Sequence, residues 1–298
     1  MSDRATDDRV DAEVGRALAT LAASREQVYF DADADASVRA RYYAAIDESE
    51  SPEQLFHSLG VLLEHTHAPR LPYKPAERVY PWVDLHPDGR LLSIYSGKAF
   101  DAEQFIRADA EIARRRAARL QELTRQESAL GPRELFEAAF DALERELPFN
   151  CEHVVPQSWF SKREPMRGDL HHLFACESRC NAFRGNTSYV DFPDSQERLM
   201  SDCGRSEAAG FEPVAGKGPV ARATLYFLLR YPGLIGDEAR ELQRERVGLL
   251  LDWHRANPVE EYERHRNAAI GELQGNRNPL IDHAEWAERI DFEASFAG

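Results

Sequence analysis

Apolar positions along this 298-residue chain recur mostly at helical spacing, with only a few short β-branched runs bounded by turn residues. Ser51-Pro52-Glu53-Gln54 supplies an N-cap serine, a proline at the first helical position and a glutamine at the capping-box position, which predicts a helix to about His65. The stretches 78–85 and 91–95 flank Pro87-Asp88-Gly89, a turn sequence, and predict a hairpin. A long charged helix is expected over 102–126, stopped near Gly131-Pro132, followed by one over 133–147 that ends before Pro148. Further helices are expected at about 219–230, 237–255 and 259–273. Between them lies a short strand, with Glu152 and His153 leading into Val154 and Val155 and Pro156 ending it. The stretch 169–173 reads as a second strand and the residues after it have helical spacing. The expectation is an α+β protein, predominantly helical, built around a small ββα unit at about 149–190.

That unit holds the densest chemistry in the chain, in the two clusters NCEHVVPQSWF and DLHHLFACESRCNAFRGN. At about 100° per residue, Asn181 and Arg184 lie roughly 60° apart on one helical face, with Glu177 one turn earlier. Hydrolysis of a phosphodiester needs an in-line water, a base and positive charge for the phosphorane and leaving oxygen. His153 suits the base, because an ordinary imidazole is mostly neutral at cellular pH. Glu152 and the Asn181 side-chain carbonyl are hard oxygen ligands suited to Mg²⁺, with Mn²⁺ or Ca²⁺ as substitutes, and Arg184 offers a planar fork for a phosphate oxygen. Neighbours on a regular strand point to opposite faces, so Glu152 and His153 can serve one site only if a bulge or strand end falls there.

These residues resemble the bacterial endonuclease I family of ββα-metal (His-Me finger) nucleases. The resemblance extends to DLHPDGRLLSIYSG (84–97), GKGPVARATLYFLLRYPG (216–233), WHRANPVEEYERHRN (253–267) and QGNRNPLIDH (274–283). It implies His153 as general base, Glu152 and Asn181 as Mg²⁺ ligands, Arg184 at the phosphate, and cleavage of DNA, often also RNA, with little sequence preference. A single nuclease domain is then expected over 31–298, preceded by an acidic helical extension at 1–30.

A net charge of −15 argues against a simple nucleic-acid-binding module, whose footprint is basic. Within 151–190 the balance reverses, with Lys162, Arg163, Arg167, Arg179 and Arg184 outnumbering Glu152, Glu164, Asp169 and Glu177 by one. No apolar run is long enough to cross a membrane, so no membrane partner is expected. The acidic first residues lack a signal-peptide pattern, which reads as cytoplasmic with leaderless export left open. A cytoplasmic nuclease needs restraint, either by that acidic segment or by an inhibitor partner.

Cys151, Cys176, Cys180 and Cys203 all fall near the candidate site. Read as i and i+4 on one helix, Cys176 and Cys180 face away from Asn181, and a four-cysteine structural zinc is the preferred expectation. Disulfides and free buried thiols are the alternatives. Arg222, Arg277 and Asn278 are candidates for touching nucleic acid, with salt bridging equally open for Arg222 and a plain turn for the Asn-Pro pair. Trp159 and Phe160 read as core, His65 and His67 as structural, and Arg114-Arg115-Arg116 as a solvated helix face. A competing class is a zinc-stapled, non-enzymatic protein that binds nucleic acid or a partner.

Overall fold

The computed structural model describes residues 2–130, 142–143, 146–147, 149–193, 199–208 and 210–296, which form mostly helix with three small antiparallel sheets. Helix α1 (Ser2–Ser24) lays Ala17 and Leu21 into a core shared with Tyr80 and Ile106. Helix α2 (Ala32–Tyr42) is capped by Asp31, whose carboxylate accepts the Ala34 amide at 3.0 Å. Helix α3 (Pro52–Thr66) carries the expected capping box, with the Ser51 hydroxyl accepting from the Gln54 amide and the Gln54 side chain accepting from Ser51.

The hairpin expected over 78–95 forms differently. Pro75 opens helix α4 (Pro75–Arg78), which runs into a π-helical turn at Val79–Val83 with Asp84 N–H donating to the Val79 carbonyl at 2.9 Å. Pro81 within that run has no N–H for a strand ladder, and the buried Val79, Tyr80 and Val83 pack on a helical spacing instead. The turn at Pro87-Asp88-Gly89 does form, with Gly89 at φ 74°, but only a single bridge joins Leu85 to Leu91 across it. Strand β1 (Arg90–Leu92) pairs forward with β2 (Ala99–Asp101). Helix α5 (Ala102–Leu130) follows as read, and the helix expected over 133–147 falls mostly outside the described residues.

Strand β3 (Cys151–His153) pairs antiparallel with β4 (Leu173–Ala175) in a one-to-one register, Cys151 with Ala175 and His153 with Leu173. The second strand therefore starts where it was expected to end. Residues 166–172 form two 3₁₀ turns instead, the second started by the Asp169 side chain accepting the His171 amide. Helix α6 (Ser178–Arg184) then begins with Glu177 at its N-cap. A three-stranded sheet, β5 (Leu199–Ser201), β6 (Gly204–Glu207) and β7 (Gly210–Pro213), leads to α7 (Lys217–Arg230). Helix α7 is buried on nearly every side and is the axis of the larger core. Helix α8 (Val247–Ala256) is shorter than the expected 237–255, because Gly236 at φ 111° turns the chain and Glu241 accepts its amide at 2.8 Å. Helices α9 (Glu261–Gln274) and α10 (Pro279–Asp282) complete the described chain's regular helices.

The β3–β4 ribbon lies between two cores. Cys151, Leu173 and Ala175 join the cluster of Val79, Leu91 and Ile106, while Phe174, on the alternate face, joins the cluster built on α7. Asp169 locks the ribbon to both halves. Its oxygens accept from the Tyr226 and Tyr231 hydroxyls at 2.8 and 2.9 Å and from the Gln274 amide at 2.8 Å. Burial alone would raise the Asp169 carboxyl, but His67, His171, His172 and the Gln274 amide outweigh it and hold the group well below the usual carboxylate range. A depressed carboxylate stabilises the fold above its unfolded pKa of about 3.9 and loses that contribution as the pH falls. Thermal unfolding of Asp169→Asn should show a lower melting temperature than wild type at neutral pH. The gap should narrow steadily below about pH 4, and a pH-independent gap would contradict the assignment.

Candidate active site

Strand β3 is the edge of a two-stranded ribbon, so the backbone groups of Cys151 and His153 that point away from β4 need partners from elsewhere. Helix α6 provides them. The Asn181 side-chain amide donates to the Cys151 carbonyl at 3.1 Å, and the Arg184 guanidinium donates to the Val154 carbonyl at 2.9 Å and approaches the His153 carbonyl at 3.5 Å. A carbonyl only accepts, so the NH₂ of Asn181 must face the strand. Its Oδ1 is then turned from the strand, and among the described residues it accepts no hydrogen bond.

Glu152 points to the other face from Cys151 and is 2% exposed. Its Oε1 accepts from the Tyr95 hydroxyl at 2.6 Å and meets Arg184 Nη1 at 3.1 Å. Tyr95 in turn bonds the Tyr189 hydroxyl at 2.7 Å. Burial raises the Glu152 carboxyl to about 7 against the opposing pull of Arg184 and Tyr95. This is the electrostatic state of an acid that gains strongly from an added cation.

His153 is the last residue of β3, with no bulge in the register, so the strand end expected at this point is what the chain uses. Its Nε2 lies 2.9 Å from the Arg167 carbonyl. That nitrogen must carry the proton, which leaves the lone pair on Nδ1 in the neutral ring. Burial and the nearby His172 push the ring's pKa well below its ordinary value, so it is neutral at neutral pH. The Tyr73 ring packs at 4.6 Å and that of His172 at 5.4 Å, fixing the imidazole plane. Gly168 lets the supporting turn approach, since a Cβ there would overlap the Leu71 carbonyl.

Glu152, His153, Asn181 and Arg184 all line one cavity of about 470 Å³, together with Tyr73 and Phe149. Among the described residues, three cations, Arg116, Lys162 and Arg184, border it against the one carboxylate of Glu152. Arg184 is 2% exposed; its two terminal nitrogens are engaged by Glu152 and the strand, while its buried Nε meets no hydrogen-bond partner among the described residues. It holds the carboxylate from behind, a different placement from the open phosphate fork that the spacing suggested.

The other nucleic-acid candidates are internal. Arg222 makes a two-bonded pair with Glu263 at 2.7 and 2.6 Å and also donates to the Asn257 carbonyl at 2.8 Å. Arg277 grips both oxygens of Asp282 and reaches Asp35 at 2.8 Å. Asn278 caps α10 and bonds Asn267 and the Arg222 carbonyl. All three are buried, so each is a structural tie where a nucleic-acid contact was expected. Trp159 and Phe160 are buried in the α7 core, and His67 is buried near Tyr231 and Asp169.

The four-cysteine zinc expectation is overturned by a disulfide between Cys180 and Cys203, which ties α6 to the β5–β6 turn. Helix α6 starts at Ser178, so Cys176 sits in the extended segment before it and never shares a helical side with Cys180. Cys151 and Cys176 are free and buried, and burial raises both thiols well above their ordinary range, which leaves them as inert thiols. Glu177 lies beside Cys180 and Cys203, but sulfurs bonded to each other offer no thiolate to a metal.

The sequence pattern of the family described as Endonuclease I matches residues 134–285, just over half the chain. The chain belongs to the endonuclease I family. An extracellular ribonuclease of Bacillus subtilis is 34% identical over 157 residues, 48% of this chain and 54% of the relative. An extracellular deoxyribonuclease of Aeromonas hydrophila is 32% identical over 125 residues, covering 39% and 50%, and a periplasmic deoxyribonuclease of the same organism is 31% identical over 154 residues, covering 44% and 62%. The chain spans about half the length of the first of these relatives. The cytoplasmic expectation is corrected by the same findings. Extracellular and periplasmic relatives, together with a disulfide of the kind that persists in oxidising compartments, point to a secreted protein.

Several residues around the endonuclease I cavity escape a reading of motifs. Tyr95 lies in the stretch that resembles the family but carries no chemical signature of its own, and Tyr73, Phe149 and Arg116 belong to no motif. Arg114 fits the solvated face, paired with Asp11, whereas Arg116 turns inward over the Phe149 ring at 4.1 Å.

Two measurements check this account. Titrating thiols in the unfolded protein should find two without reductant and four with it, and elemental analysis should find no stoichiometric zinc. Arg184→Met should lose roughly 3–5 kcal/mol of folding stability, because it strands the buried Glu152 carboxylate. A melting temperature equal to wild type would return Arg184 to the role of an open phosphate clamp.

Proposed function

We propose that this protein is a metal-dependent endonuclease that hydrolyses phosphodiester bonds of DNA and RNA with little sequence preference. The observation that carries the proposal is the shared wall of one cavity, where a neutral imidazole stands beside two hard oxygen donors in a chain of the endonuclease I family. The relatives include both ribonucleases and deoxyribonucleases by name, which supports a substrate class set by the phosphodiester. The proposal takes 31–298 as one nuclease domain carrying a ββα-metal core, with 1–30 as an extension.

His153 acts as the general base. Its Nε2–H is held on the Arg167 carbonyl, so Nδ1 takes the proton of a water whose oxygen bonds to phosphorus while the P–O3′ bond breaks. The proton goes on to the leaving oxygen, and the products carry a 5′-phosphate and a 3′-hydroxyl. Glu152 and Asn181 would hold the metal. The Tyr95 hydrogen bond and the Arg184 ion pair to Glu152 both fall on Oε1, and the Asn181 hydrogen bond is donated by its nitrogen, so Glu152 Oε2 and Asn181 Oδ1 remain for coordination. Two oxygens and several retained waters fit Mg²⁺, or Mn²⁺ or Ca²⁺ in its place. A bound Mg²⁺ would offset charge on the nonbridging and leaving oxygens. Tyr95 and Arg184 hold the Glu152 carboxylate in place, as the neighbouring Cys151 carbonyl holds Asn181.

Incubating plasmid DNA and a folded RNA with Mg²⁺, then repeating with excess chelator, tests the class of activity; intact polymer in the first arm rejects it. His153→Ala should still fold, at a lower melting temperature because the ring is buried and bonded to the Arg167 carbonyl, and cleave roughly 10²–10⁴-fold more slowly at a temperature where it is folded. Near-normal cleavage by that variant rejects the mechanism.

A further inference from the structure

With Arg184 held behind Glu152, the charge that meets the substrate backbone must come from elsewhere on the cavity wall. Two cations there lie neither deep in the core nor within the Glu152 network. They are Arg116 and Lys162, each partly exposed.

Their placement follows the path of the chain through β3. Arg116, on α5, sits against the segment entering the strand, with its Nε donating to the Leu147 carbonyl at 2.6 Å and its guanidinium plane over Phe149 at 4.1 Å. Stacking and a hydrogen bond on one edge pre-orient a guanidinium, so less side-chain entropy is lost when it meets a phosphate. Lys162 lies on the segment leaving the strand, past Pro156 and a 3₁₀ turn at Gln157–Phe160. There Ser161 and Lys162 both adopt the left-handed region, at φ 55° and 54°, and the Lys162 amide donates to the Gln157 carbonyl at 2.9 Å. Non-glycine residues are rarely left-handed, and two in succession persist only where the surroundings over-determine them, as sites that aim a side chain do. Gln157 is itself fixed by Arg167 at 2.9 Å, on the residue whose carbonyl holds His153. The Lys162 turn and the His153 ring are therefore held by one residue.

We propose that Arg116 and Lys162 grip the phosphates flanking the scissile one. The inference rests on the phosphodiesterase reading of the same cavity and adds the residues that bind its substrate. It also answers the charge problem, since a protein at −15 holds an anionic polymer only through cations placed locally.

The test uses the full chain and a short fluorescein-labelled DNA, with cleavage followed across a series of salt concentrations. Wild type comes first, and its failure to cleave sinks the activity and with it this pair. With wild type active, Lys162→Gln and Arg116→Gln should each raise KM several-fold and reduce the slope of log kcat/KM against log salt by about one. Lys162→Arg and Arg116→Lys should keep the wild-type slope, which a merely structural role would not predict. A second readout needs neither turnover nor substitution. In chelator, the same DNA should protect Lys162 from acetylation and Arg116 from an arginine-directed reagent, read by mass spectrometry. An unchanged salt slope in either charge-removing variant, or equal labelling with and without DNA, overturns the proposal.

Discussion

A two-stranded ribbon buried between two cores exposes hydrogen-bonding groups on both of its edges, and the arrangement of this protein follows from how those groups are satisfied. An unpaired buried backbone group costs on the order of 1–3 kcal/mol, so an edge within a core is an obligation. On the β4 side, the Ala175 amide donates to Asp84 at 2.6 Å, its carbonyl accepts from Ile94, and the buried Arg266 takes the Leu170 and Leu173 carbonyls while pairing with Asp84. On the β3 side, Asn181 and Arg184 do the equivalent work. Each edge therefore combines a buried arginine with a carboxylate, Asp84 for Arg266 and Glu152 for Arg184. One edge only supports the fold. The other forms part of the wall of the cavity that Glu152, His153 and Asn181 line, and it is there that the proposed chemistry takes place.

That economy separates the tasks of the cations. A guanidinium that balances a buried carboxylate and closes a strand edge is fixed by desolvation, since removing either partner leaves the other uncompensated. Moving it to a phosphate would break those contacts. The partly exposed cations that border the cavity come from α5 and from the turn after the 3₁₀ segment, and on our proposal it is these that meet the substrate. Among the described residues, those of the acidic helix α1 border the neighbouring cavity, through Arg9, Val10, Glu13 and Val14, and none lines this one.

Local signals in the sequence were legible where the physics is local. The capping box at Ser51, the long helix that starts at Ala102, the helix over 261–274 and the short strand that holds Glu152 and His153 all depend on contacts within a few residues, although that strand stops at His153 and does not run on to Pro156. The spacing that brings Asn181 and Arg184 to one helical face is of the same kind. What the sequence could not show is partnership. Arg222 meets Glu263 across 41 positions and Arg277 meets Asp35 across 242, and nothing in an arginine's neighbours says whether its partner is a phosphate or a distant carboxylate. The cysteines failed for the same reason. Clustering in sequence marked them as related, but the choice among zinc, disulfide and free thiol depends on where Cys203 lands, one turn of sheet beyond the helix.

The alternation of side chains along a regular strand separates Glu152 from His153 unless a bulge or a strand end intervenes. The ribbon resolves this without a bulge, because its geometry differs from that of a sheet interior. In a wide sheet the two faces are separated by neighbouring strands on both sides, so adjacent residues open onto different spaces. At the outer edge of two strands, and at the last residue of one, both faces border the same volume. Glu152 reaches it beside Tyr95 and Arg184, and His153 reaches it beside Tyr73 and the Arg167 carbonyl. A third strand added outside β3 would satisfy the edge equally well and would place a wall between them. The side chains of α6 satisfy that edge without building such a wall, and a helix of seven residues is sufficient for the purpose.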